Sequence, residues 1–106
     1  MRILGFCVDK QRITKQKDSD FSGIIAGSIG YLHARFRFST DWDQCTTKIA
    51  RFWNDENEHS VILDANNECE IPSEALTGRI FSVSVLGVAP SFRVETNKIK
   101  VRQEVN

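Results

Sequence analysis

The sequence predicts an all-β fold: an antiparallel β-sandwich of six to eight short strands with at most one helical turn. Three observations carry this. The dominant hydrophobic period is two rather than 3.6. Turn residues recur about every 8–12 positions. No segment sustains a helical period beyond two turns. A small closed barrel is the other all-β option, but no glycine pattern suggests the repeated corners that closure requires.

Taken in order, "ILGFCV" reads as a strand and "RITKQK" as a second, weaker one. "DSDFSGIIAGSIG" sets three glycines around an Ile-Ile pair and reads as a loop or arm ordered against the sheet or against a partner. Residues 1–30 are therefore expected to form an irregular N-terminal strand and arm, and residues 31–106 the sandwich core, within one domain. In "YLHARFRF", Leu32, Ala34, Phe36 and Phe38 alternate with Tyr31, His33, Arg35 and Arg37, as a half-buried strand requires.

"TKIARFW" reads as a strand holding Ile49 and Phe52. Its alternation is imperfect, which predicts either a bulge or burial of both faces. Asn66-Asn67 fits the centre of a tight hairpin between "SVILD" and "CEIP", because Asn tolerates positive φ. Pro72 stops the second arm, and "PSEAL" fits one helical turn closed by Gly78. "RIFSVSVLGV" aligns Phe81, Val83 and Val85 on one face against Ser82 and Ser84. "GVAPSF" reads as a loop, Thr96-Asn97 as a bulge or turn, and "KIKVRQEV" as a last strand burying Ile99, Val101 and Gln103. The expected core is Trp42, Phe36, Phe38, Phe52, Phe81, Val83 and Val85.

The 106 residues suit one domain with a core of its own. Fourteen basic and fourteen acidic residues cancel, so the chain has no global attraction to nucleic acid or anionic lipid. Its largest basic excess, residues 9–17, holds Lys10, Arg12, Lys15 and Lys17. Those side chains could meet phosphates or could protect a sheet edge, and edge protection is the commoner use. Cys7, Cys45 and Cys69 form no CxxC pair, which argues against a disulfide framework and for folding in a reducing compartment. The short apolar start does not fit a signal peptide, and no apolar run reaches membrane-spanning length. Folding in a cytoplasm is the expectation.

Candidate chemistry centres on "DWD". Asp41 and Asp43 would point the same way in an extended chain, roughly as a glycosidase pair requires. The same acids suit a strand-to-strand corner with Trp42 turned into the core, and the corner is preferred. His33, His59 and the acids Asp55, Glu56 and Glu58 lack the spacing of a calcium loop, and the cysteines lack zinc spacing. A Cys45–His59 nucleophile pair has nothing to fix its geometry, and "GSIG" is too short for a phosphate loop. No catalytic, cofactor or metal residue is assigned. Tyr31, Arg35, Arg37, Trp53 and Phe92 are the candidate interface residues, since outward aromatic and guanidinium groups are common at protein interfaces. Ordinary cross-strand pairing on a sheet face is the commoner reading of such residues. Trp53, beside "NDENE", is the best exposed anchor among them.

The order of motifs carries a resemblance. "FRFSTDWDQCTTKIARFW", "VILDANNECEIPSEAL", "GRIFSVSVLGV" and "VETNKIKVRQE", within residues 31–103, resemble an immunoglobulin-like attachment domain of tailed phages and prophages of Gram-positive bacteria. Such domains accompany head-fibre, baseplate and tail-fibre proteins. The resemblance implies an immunoglobulin-like sandwich in a non-enzymatic virion structural protein: a decoration, head-fibre, baseplate or tail adaptor chain. It would dock by a sheet face or edge strand onto capsid, tail or sister subunits, as a homo-oligomer, with no cofactor, nucleic acid or membrane partner. The alternative is a small phage protein that binds and inhibits a host factor, such as a defence-system component. A third reading is a carbohydrate-binding module using Trp53 and nearby acids.

Overall fold

The computed structural model describes residues 1–106. Two sheets face each other. The first orders its strands β2-β1-β3-β6, with β1 at Arg2–Asp9, β2 at Arg12–Lys15, β3 at Leu32–Phe38 and β6 at Glu68–Glu70. The second runs β5-β4-β7, with β4 at Thr47–Asn54, β5 at Asn57–Ile62 and β7 at Ile80–Ala89. Its far edge is shared by β8 at Phe92–Glu95 and β9 at Ile99–Arg102. Only short 3₁₀ turns, Thr40–Gln44 and Ser73–Ala75, interrupt the strands. The fold is the all-β sandwich the periodicity predicts.

The strand count is nine because one edge is divided in two. β8 meets β7 with Leu86 opposite Glu95, whereas β9 meets it with Val83 opposite Ile99. The register shifts by one residue between them, which is the signature of a β-bulge. At this point Thr96 Oγ1 accepts the Val85 N–H, and Asn97 Oδ1 accepts the N–H of Ile13 in the opposite sheet. The bulge anticipated at Thr96-Asn97 thus also ties the two layers together.

One pairing departs from the antiparallel expectation. β1 and β3 run parallel, from Arg2 opposite Leu32 to Val8 opposite Phe38. Parallel neighbours need a long return connection, and residues 16–31 supply it. This segment runs along the free half of β1: Gln16 N–H donates to Gly5 O, Gly5 N–H to Ser19 Oγ, and Arg2 to the carbonyls of Asp20 and Ser22. Residues 1–30 are accordingly built into the sandwich. β1 sits between β2 and β3, and Leu4, Phe6, Val8, Ile13 and Ile24 are core residues.

Two local expectations change, and the alternatives left open for β4 are settled. Asn66-Asn67 does sit in a tight turn, with Asn67 at φ 59 and Asp64 Oδ1 accepting the N–H groups of Asn66 and Glu68. Its arms, however, belong to different sheets, so it is a crossing rather than a hairpin. β4 carries no bulge, since its ladders to β5 and β7 are continuous. Its broken alternation arises because Ile49, Arg51 and Trp53 form a half-buried outer row. "GVAPSF" shrinks to the two-residue turn Pro90-Ser91, with Gly87–Ala89 still in β7. In the acidic run 54–59 only Asp55-Glu56 turns, and Asn57 onward is strand.

The core fills the space between the inward faces. Leu32, Ala34 and Phe36 of β3 meet Ala50 and Phe52 of β4 and Phe81, Val83 and Val85 of β7 across it. An aromatic file, Phe21–Phe6–Phe36–Phe38–Trp42, crosses the molecule with ring centroids 5.0–6.1 Å apart. At that spacing aromatic pairs add favourable edge and offset contacts to simple burial. Phe38 is only partly buried, with the Lys48 ammonium 4.9 Å from its centroid.

Candidate functional site

The Asp41-Trp42-Asp43 stretch lies in the 3₁₀ turn that carries the chain from β3 in one sheet to β4 in the other. Trp42 is fully buried and its Nε1–H donates to Lys10 O at 2.7 Å. With three residues per turn, positions 41 and 43 project about 120° apart around the helix axis. The two carboxylates are thus splayed rather than aimed at one point. Asp41 accepts the Ser39 hydroxyl, and Ser39 Oγ accepts the Lys10 N–H at 2.9 Å. The corner acts by linking the β1–β2 turn to the β3–β4 crossing.

The other candidate chemistries are dispersed. Cys45 packs at Gly87, while His59 pairs with Phe52, which in turn faces Val83. Four strand residues separate those levels, about 13 Å. Burial pushes the Cys45 thiol up, against the pull of Lys48, which is the wrong direction for a nucleophile. Cys69 is buried and its thiol is pushed up to about 12, by desolvation first and Asp64 second. No three His, Cys, Asp or Glu side chains converge as a metal site. The basic residues 10–17 follow the β2 edge, with Arg12 exposed and Lys15 5.2 Å from the Phe21 ring centroid.

The five candidate interface residues occupy separate surfaces. Arg35 and Arg37 lie on the outer face of the first sheet, and Arg35 Nε donates to Glu68 at 2.8 Å. Phe92 opens β8 beside the Pro90-Ser91 turn and is half-buried. Trp53 lies on the outer face of the second sheet, and its indole N–H donates to Ser84 Oγ at 3.1 Å. The Lys98 ammonium sits 3.6 Å from its ring centroid, and the Arg51 guanidinium carbon 5.1 Å away. Cations therefore stack on this ring, which leaves it less open as an anchor than the sequence suggests.

Tyr31 belongs to a different grouping. Seven large hydrophobic side chains are exposed: Met1, Ile25, Ile29, Tyr31, Ile62, Ile80 and Val105. All but Ile62 converge on one end of the sandwich. Met1 precedes Arg2, whose N–H bonds Tyr31 O, and Ile25 bridges Glu104 beside Val105. Ile80 begins β7 at the same end, where Gln103 N–H bonds Arg79 O. Ile29 is 80% exposed and Tyr31 50%. Beside Tyr31 opens a groove of about 390 Å³, lined by Arg2, Ile24, Ile25, Ala26, Tyr31 and Leu32 among others. Ser28 Oγ, which also lines it, is buried without a hydrogen-bond partner.

This end was only partly visible in the sequence. The "GIIAGSIGY" segment stood out as an arm, but its proximity to Met1, Ile80 and Val105 depends on the parallel β1–β3 pairing and on the Ile25–Glu104 bridge. No protein-family model matches the chain, and no curated protein matches it in sequence.

Proposed function

We propose that the chain is a non-enzymatic structural protein of a tailed-phage virion, serving as a decoration, head-fibre, baseplate or tail component that works by docking on another protein. The observation that carries the docking is the apolar end, where Met1, Ile25, Ile29, Tyr31, Ile80 and Val105 are exposed and Ile25 and Tyr31 line an open groove. A soluble domain rarely leaves that many large hydrophobic groups together in water unless a partner covers them. The virion assignment draws on the motif order of residues 31–103 and its resemblance to immunoglobulin-like attachment domains. A rigid two-sheet body with an apolar tip suits attachment, because little backbone order must be gained on binding.

Mass spectrometry of purified particles tests this reading. The chain should be present in a fixed ratio to the capsid or tail proteins. Absence from particles would overturn the virion role and move the docking end to a host protein.

A further inference from the structure

The five-stranded sheet ends in two free edges of opposite charge. β5 and its turn carry Asp55, Glu56 and Glu58, all exposed, whereas β9 with its lead-in carries Lys98, Lys100 and Arg102, also exposed. Charged side chains on an edge ordinarily prevent sheet-to-sheet pairing. Here the two edges repel like edges and match each other.

The match extends to register. Glu58 lies opposite Trp53, Trp53 opposite Ser82, and Ser82 opposite Lys100, so an acid and a base terminate the same cross-strand row. Leu63 N–H donates to Lys48 O, which alternation along β5 extends to residues 57, 59 and 61. The N–H and C=O groups of Glu58, Ser60 and Ile62 then point away from the sheet. Gln103 N–H donates to Arg79 O, which by the same alternation turns those of Lys98, Lys100 and Arg102 outward from β9. β5 and β9 also run antiparallel, because each is antiparallel to its neighbour along β5-β4-β7-β9.

We propose that copies of this chain join head to tail, β5 of one molecule adding to β9 of the next as an antiparallel strand. The ladder sets Lys100 opposite Glu58, Arg102 opposite Glu56 and Lys98 opposite Ser60. The Lys100–Glu58 and Lys98–Ser60 pairs each share a sheet face and an open set of backbone groups, and Glu56 lies in the turn just before β5. The window is the six residues 98–103, closed on one side by Asn97 bonded to Gln11 O and on the other by Glu104 bonded to Ile24 O. Ile62, the one large exposed hydrophobic residue away from the apolar end, lies on the same β5 edge. Because the joined surfaces differ, the contact is heterologous and builds an open filament or a ring. This deepens the docking reading by naming a second copy as one partner, while leaving the apolar end free for another.

Sedimentation velocity over a wide concentration range, at low and high salt, tests the pairing. Association should grow with concentration and weaken with salt. The folded double variant Lys100→Glu with Arg102→Glu should associate roughly tenfold more weakly or worse, since attraction becomes repulsion at both positions. Adding Glu56→Lys and Glu58→Lys to that variant should restore association. A chain that stays monomeric at every concentration, or reversals that change nothing, would overturn the proposal. That outcome leaves virion docking through the apolar end intact, whereas absence from particles leaves head-to-tail association intact.

Discussion

Gly87 lies directly against the indole of Trp42. A Cβ built on it would stand 2.7 Å from Trp42 Cζ3 and 2.5 Å from Cys45 Sγ. The indole is held by its bond to Lys10 O and by Phe38, whose ring centroid is 5.0 Å away. The glycine therefore serves close approach between β7 and the inter-sheet corner rather than backbone freedom. Gly87→Ala should destabilise the protein by about 1–3 kcal/mol through overpacking. Trp42→Ala and Phe81→Ala should each cost roughly 3–5 kcal/mol. Denaturant unfolding measures all three, and a loss below about 1 kcal/mol would remove the residue concerned from the core account.

Arg51 gathers two carboxylates on the outer face of the second sheet. Its guanidinium donates to Glu58 at 3.2 Å and to Glu95. Hydrogen bonding to Arg51 holds the Glu95 carboxyl below its ordinary value, and the Ser60 hydroxyl, then Arg51, does the same for Glu58 against a cost of burial. A depressed folded value means stability that is present above the unfolded value of about 4.3 and lost as pH falls through the folded one. Stability should thus drop below about pH 4.3, and Arg51→Gln should make that drop shallower. Equal pH slopes for the two proteins would contradict the pairing.

Cys69 should be the last thiol to react. With its thiol at about 12, only about one molecule in ten thousand carries the thiolate at pH 8. Native labelling with a thiol reagent should modify half-exposed Cys7 first and Cys69 only on unfolding. Native modification of Cys69 at the rate of Cys7 would show that β6 opens readily.

Much of this sandwich was legible because its signals are local. Leu32, Ala34 and Phe36 repeat at period two, and so do Phe81, Val83 and Val85; each series is the inward face of a single strand. Trp42 reads as a corner because two acids flank it beside Ser39. The misreadings concern pairing between distant segments. Nothing local tells Asn66-Asn67 that its arms will enter different sheets, or β1 that it will run parallel to β3. Trp53 looked free because Lys98, the cation that stacks on it, is 45 residues further along the chain. The apolar end was hidden for the same reason, being assembled from residues 1, 25–31, 80 and 105.

The proposed docking of the chain on a tailed-phage virion through that end is tested most directly with purified particles. Wild-type protein should co-purify with them. The double variant Ile29→Asp with Tyr31→Asp should keep the wild-type unfolding midpoint, since both side chains are exposed, and yet be lost from the particles. The variant retained at the wild-type level would contradict docking at this site, and wild-type protein missing from particles would overturn the virion role.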